Sequence, residues 1–282
     1  MMKVKPMTVQ KKSVSKGLSN KGFSLVELLV AMTIFALVTT AIWSNFNSQN
    51  TIYRAQEQSA KIQQNMRASL YVMEKELRMA GFDPDSIGYG VDNIKNNMLR
   101  FTYDDGDGGY GSVAYALVGS QLRRVVKFNE DVAGTDLNDE KYILAENIYD
   151  SGSVDGFYLA YAFDDNGDGE LDVSPNGHII WAVDTNNDDE LDLRLDTNDD
   201  GEMSLADDTG NDNIIDGNAL ASPVAMANIR AVRIWVLGQA ERADVSYHDG
   251  NQYIVGRNII TPDDRIRRRL LSTIVKCRNL GV

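Results

Sequence analysis

The sequence is poor in the residues on which stapled folds and most catalytic sites depend. It has a single cysteine, Cys277, so no intramolecular disulfide can form. Cys277 lies in an apolar-flanked stretch and reads as a buried, inert thiol. There are two histidines, His178 and His248, each beside turn-like residues. No nucleophile triad, zinc spacing or phosphate-cradling glycine loop can be assembled, which argues against an enzyme. Positive charge is also scarce: the net charge is -13 at pH 7. That leaves no basic footprint for nucleic-acid binding. What the chain does have is a normal apolar share, 43% of 282 residues, enough for a sizeable core and too much for wholesale disorder.

The acidity is not spread evenly. Residues 164–216 hold 15 Asp and 3 Glu against one base, Arg194, a local net of -17. The first 22 residues hold six Lys and no acid, so the chain without them carries -19. Such an acidic block must bind cations or stay a repelling, solvated loop.

Behind the basic leader, residues 23–43 form a 21-residue stretch with one charge, Glu27. As a helix it spans about 32 Å, enough to cross a bilayer core. A cleaved secretory signal has a shorter apolar region with a small-residue site after it. Here the small residue, Gly22, comes before the run. The Lys-rich leader stays cytoplasmic by the positive-inside rule, which places the bulk of the chain on the far side. A carboxylate within an apolar helix costs about 2.5–3.5 kcal/mol on insertion scales, so Glu27 calls for a use.

The segment Lys21-Gly22-Phe23-Ser24-Leu25-Val26-Glu27-Leu28 resembles the prepilin motif of type IV pilins and type II secretion pseudopilins. The resemblance implies cleavage by a prepilin peptidase between Gly22 and Phe23, N-methylation of Phe23, and a Glu27 that meets the N-terminal amine of a neighbouring subunit. Pairing that amine with a carboxylate in lipid would remove two uncompensated charges together.

Residues 44–80 contain neither glycine nor proline, and Ile62, Met66, Leu70, Met73 and Leu77 recur on one helical face. Gly81 and Pro84 predict the end of the helix at Ala80. The stretch from Gln56-Glu57-Gln58 through Gln63-Gln64-Asn65-Met66-Arg67 to Arg78-Met79-Ala80-Gly81-Phe82-Asp83-Pro84 is similar to PilW-like minor pilins. Related J-type pseudopilins have similar helices. Beyond residue 84, alternating runs predict strands at 97–103, 112–118, 121–128, 142–148, 156–163, 178–183, 229–237, 252–257 and 270–278, with a hairpin turn at Gly119-Ser120. Segments 112–124, 231–237 and 272–279 again resemble PilW-like or J-type heads.

The predicted fold class is α+β, type IV pilin-like: a long N-terminal helix on an antiparallel β-sheet head with an acidic calcium-loop insertion. The expected divisions are a leader (1–22), a transmembrane or filament-core helix (23–43), its amphipathic continuation (44–80) and a periplasmic head (81–282) carrying the insertion 164–216.

Four segments of the insertion share a frame: Asp164-x-Asn166-x-Asp168 with Asp172, Asp184-x-Asn186-x-Asp188 with Asp192, Asp196-x-Asn198-x-Asp200, and Asp208-x-Gly210-x-Asp212 with Asp216. This resembles the first nine positions of an EF-hand-type loop, whose ligands at positions 1, 3 and 5 curl around one ion. Gly169 and Gly201 stand at the sixth position, but Asp189 and Asn213 replace the glycine in the other two, and no clear Glu occupies the twelfth. Leu171, Leu191 and Ile215 recur at one position of the frame. These Asp and Asn residues are therefore candidate Ca²⁺ ligands, the alternative being a solvated acidic loop.

The function expected on these grounds is a minor pilin in initiation, assembly or the tip of a type IV pilus. Its expected partners are prepilin peptidase, other minor pilins, the major pilin and the inner membrane. A J-type pseudopilin and a calcium-dependent tip adhesin are the alternatives.

Overall fold

The computed structural model describes residues 22–139 and 142–280. The leader up to Lys21 lies outside the described residues. A single helix, α1 (Leu25–Leu77), opens the described chain. The chain divides into two units between Tyr53 and Arg54, and α1 contributes to both.

From Leu25 to Trp43 α1 is apolar on every side rather than along a stripe, the pattern of a helix meant for an apolar surrounding. Every described residue from Gly22 to Gln49 is exposed. Two hydroxyls of this stretch bond within the helix. Thr33 and Thr40 donate their hydroxyls to the carbonyls of Leu29 and Ala36, both at 2.8 Å.

In the second unit α1 is amphipathic. Ile62, Met66, Leu70, Met73 and Leu77 are buried in the main core, as is Ser69, whose hydroxyl donates to the Met66 carbonyl at 2.8 Å. The helix stops at Leu77, three residues before the expected end. Met79 and Ala80 turn their N–H groups to the carbonyls of Glu76 and Leu77, and Gly81 donates to Thr102 at 3.1 Å. The last turn thus tightens and hands the chain to the sheet.

Five strands form an antiparallel meander: β1 (Val91–Lys95), β2 (Met98–Asp104), β3 (Tyr110–Val118), β4 (Gln121–Phe128) and β5 (Ile143–Ala145). Gly119-Ser120 closes the β3–β4 hairpin, with Val118 opposite Gln121. A six-stranded antiparallel sheet contains β6 (Phe157–Phe163), β7 (Ala182–Val183), β8 (Glu190–Arg194), β9 (Asn218–Ala225), β10 (Ile229–Gln239) and β13 (Arg268–Lys276), in the order β13-β10-β6-β7-β8-β9. A hairpin, β11 (Tyr253–Val255) with β12 (Asn258–Ile260), completes the set.

Alternation along β6 and β10 splits the core into two layers. Leu159, Tyr161, Val232, Ile234 and Val236 join the helix stripe, while Tyr158, Ala160, Ala162, Trp235 and Leu237 face a second cluster with Trp181, Leu195, Val255 and Ile260. Glycine permits one close approach: a Cβ on Gly238 would stand 2.6 Å from the Met66 sulfur and 2.9 Å from Ile62, so β10 and the helix meet where no side chain intervenes. Glu76 ties the helix to the meander through Arg124 Nε at 2.8 Å and through the Tyr115 hydroxyl.

The structure departs from the sequence expectation mainly around the acidic block. Strands β1, β8, β9 and β12 were not anticipated, and the expected strands 142–148 and 178–183 shrink to β5 and β7. The insertion is not an appended loop. It supplies β7 and β8 to the six-stranded sheet, so its chain passes through the sheet between turns.

Candidate assembly motif and cation-binding loops

The four acidic segments fold into loops of one conformation. The residues three and five positions after the first Asp all have positive φ: Gly167 (73°) and Gly169 (85°), Asn187 (62°) and Asp189 (64°), Asp199 (59°) and Gly201 (87°), Asn211 (54°) and Asn213 (67°). Gly, Asn and Asp enter this region at the least cost, so Asp189 and Asn213 preserve the turn that glycine makes elsewhere.

The hydrogen bonds repeat with the frame. The first-position carboxylate accepts the sixth-position N–H in every copy: Gly169 to Asp164 at 3.0 Å, Asp189 to Asp184 at 2.9 Å, Gly201 to Asp196 at 2.8 Å and Asn213 to Asp208 at 3.0 Å. Asp164, Asp184 and Asp196 are buried beneath these donors. Asn166, Asn186 and Asn198 accept the N–H of Asp168, Asp188 and Asp200 at 2.8, 3.0 and 3.0 Å. Asp172, Asp192 and Asp216 close their loops by accepting the N–H of Asp165, Thr185 and Thr209. The hydroxyl and N–H of Thr209 hold the Asp216 carboxyl below the usual carboxylate range. Leu191 and Ile215 are fully buried, and Leu171 and Met203 at the matching positions pack on the second cluster.

The third loop closes differently. Ser204 stands where the other copies have Asp, and Asp207 takes over, accepting the N–H of Thr197 at 2.8 Å and of Asn198 at 3.2 Å. Asp207 is fully buried, and its other oxygen accepts the Ser204 N–H at 2.9 Å. Counted from Asp196 it occupies the twelfth position, where an EF-hand-type loop carries its last carboxylate. Sequence reasoning looked for Glu there and passed over it; the spacing was the available signal.

Among the described residues, no group of three or more His, Cys, Asp or Glu side chains is placed to hold a metal ion. The donors each loop offers are carboxylate, Asn side-chain and carbonyl oxygens, the set that suits a hard cation rather than zinc.

At the start of α1, Ser24 and Glu27 form a reciprocal cap. The Ser24 N–H donates to Glu27 Oε2 at 2.9 Å, and the Glu27 N–H donates to Ser24 Oγ at 3.2 Å. The carboxylate thus lies in the first turn, where the helix dipole favours it. This capping role was legible as S-x-x-E and was overshadowed by the assembly role. Gly22 and Phe23 precede the helix and are exposed, Phe23 by 90%, with open space around Gly22. Residues 18–43 match the prokaryotic N-terminal methylation motif.

The chain carries a prepilin-type N-methylation motif. Such a motif implies processing by a prepilin peptidase and assembly with other pilins, and it belongs to a family of structural proteins. The chain is similar in structure to a type IV-like pilin from Thermus thermophilus, at 13% identity and a TM-score of 0.44, over 78% of this chain and 98% of that one. No curated protein matches it in sequence. α1 is long and apolar enough to cross a membrane by length and composition.

The head also contains a buried ionic network that the sequence did not reveal. Arg268 Nη1 lies 3.2 Å from Asp249 and 2.7 Å from Asp264, and its Nη2 lies 2.6 Å from Asp264. Tyr247, Asn251 and Tyr253 also donate to Asp249. Arg268 holds the Asp264 carboxyl below its ordinary range. Ser246 and Arg267 pull Asp244 down to about 2.

Proposed function

We propose that this chain is a minor pilin of a type IV pilus, PilW-like in kind. It acts in initiation, assembly or the tip of the filament rather than in catalysis. It is cut between Gly22 and Phe23 and held by one span in the inner membrane with its head in the periplasm. After assembly the head is carried outside the cell. The observation that carries this reading is the apolar stretch of α1 over residues 25–43. Behind a prepilin motif, its side chains are exposed on every face, so lipid or the helices of other subunits must cover them. Capped by Ser24, the Glu27 carboxylate sits four residues after the amine that cleavage would create, a charge pair available within a subunit or between neighbours.

Sheared filaments from a deletion strain test the reading. Surface pilin falls sharply and is restored by the wild-type gene but not by Glu27→Ala. Unchanged filaments with a lost secretome would make it a pseudopilin instead.

The reading includes calcium. Four loops sharing one turn conformation carry oxygen donors of the required kind, and drawing them around Ca²⁺ would offset the -17 of residues 164–216. Bound metal adds about 2.7 kcal/mol at a hundred times its Kd. The detergent-solubilised chain is therefore expected to melt several degrees higher in calcium than in chelator. Asp164→Ala and Asp207→Ala should each reduce the shift. Equal melting temperatures and no bound calcium would remove the metal from the account.

A further inference from the structure

The two edges of the six-stranded sheet are built differently. At one edge, β9 contains Pro223, and its pairing with β8 is interrupted by a register shift between Leu191 and Leu193. Both are devices that blunt an edge. At the other edge, β13 pairs with β10 through nine residue pairs in unbroken register and contains neither glycine nor proline. Among the described residues its hydrogen-bonded neighbour is β10 alone.

The Cys277 N–H donates to the Arg230 carbonyl at 2.9 Å, which with the register turns the odd-numbered residues of β13 toward β10. The backbone N–H and C=O groups of Leu270, Ser272, Ile274 and Lys276 therefore face away from the sheet. No described group pairs with them. Residues 270–275, Leu-Leu-Ser-Thr-Ile-Val, are uncharged and β-prone, and Ile274 is 54% exposed. An edge of this composition recruits another strand unless something prevents it.

Charge decides which strand. Residues 265–282 contain six bases and no acid, in a chain whose net charge is -13. Arg269, Lys276 and Arg278 are exposed at the two ends of β13. A second copy of β13, laid parallel or antiparallel, would bring basic ends onto basic ends, which is unfavourable. A strand with acidic ends around an apolar middle would instead meet opposite charge at both ends and apolar surface at Ile274.

We propose that β13 is a docking edge for an extended, acidic-ended strand of a partner protein, which adds to the six-stranded sheet by β-augmentation. Main-chain hydrogen bonds to residues 270–276 hold the partner. Arg269, Lys276 and Arg278 select its charge. The site lies in the head and stands apart from the filament reading.

The test uses the full chain in detergent and a fluorescein-labelled ten-residue peptide of alternating valine and threonine with glutamate at both ends. Fluorescence anisotropy is expected to show binding, at least tenfold weaker for the same peptide with lysine ends and absent when prolines replace alternate residues. Ser272→Pro removes an N–H that faces the open edge and leaves the bonds to β10 in place. It should reduce binding at least tenfold at an unchanged melting temperature. Should Ser272→Pro lower the melting temperature, Ile274→Lys, a change at an exposed side chain, carries the test with the same expected loss. Equal binding of the glutamate- and lysine-ended peptides, unaltered binding by both variants, or no binding of any peptide would overturn the proposal. So would light scattering that shows dimers of the chain abolished by the variants, since the occupant would then be a second copy.

Discussion

The two stretches of α1 have the same backbone and opposite relations to their surroundings. Residues 25–43 are apolar on all sides and exposed, whereas residues 62–77 show one apolar stripe sunk in a core. Helical geometry is common to both, so the difference lies in the distribution of side chains around the axis. An all-round apolar surface suits lipid or neighbouring helices, and a stripe suits one sheet.

The largest effect should come from breaking the first stretch at its boundary. Gly22→Val, at the expected scission point, is predicted to leave the chain unprocessed, seen as a single slower band on immunoblots of membranes. Next comes the anchor of the head. Arg268→Met leaves Asp249 buried without its cation and should destabilise the solubilised chain by about 3–5 kcal/mol in denaturant titration. The helix comparison itself is sharpened by paired truncations. Met66→Ala should cost about 2–5 kcal/mol in the same assay. Val30→Ala, at an exposed side chain, should cost at most about 0.5 kcal/mol. Comparable costs would mean that the two stretches do not differ as described.

The smallest effect is with pH. Asp244 and Asp264 have folded-state values below the ordinary carboxylate value of 3.8, Asp244 down to about 2. Their contribution is present above the unfolded value and is lost as the pH falls through the folded values. The head should therefore lose stability progressively between about pH 4 and 2 in thermal melts. Arg267→Met and Arg268→Met together should flatten that decline.

Much of this was legible in the sequence where period and composition agreed. The stripe from Ile62 to Leu77, the Gly119-Ser120 turn and the strands around residues 98–128 and 229–239 follow from alternation and turn residues. Strand β8 did not, because Leu191 and Leu193 are spaced by acids and read as part of a loop; only their pairing with β7 and β9 makes them a strand. Strand β9 was hidden by Pro223 and by its exposed side chains. In the loops, the frame from first Asp to sixth position was readable, and so was an acid at the twelfth position of the third loop, Asp207; its takeover of the missing ninth-position closure shows only in the fold. The network around Arg268 joins residues 249, 264 and 268 through a bend that no local pattern announces.

The central claim is that the first stretch of α1 becomes the N-terminus of a filament subunit. Intact-mass and N-terminal peptide spectrometry of the chain isolated from membranes tests it most directly. The account predicts a chain that begins at N-methylated Phe23. A chain that retains its leader, or one cut after the apolar stretch, would contradict it.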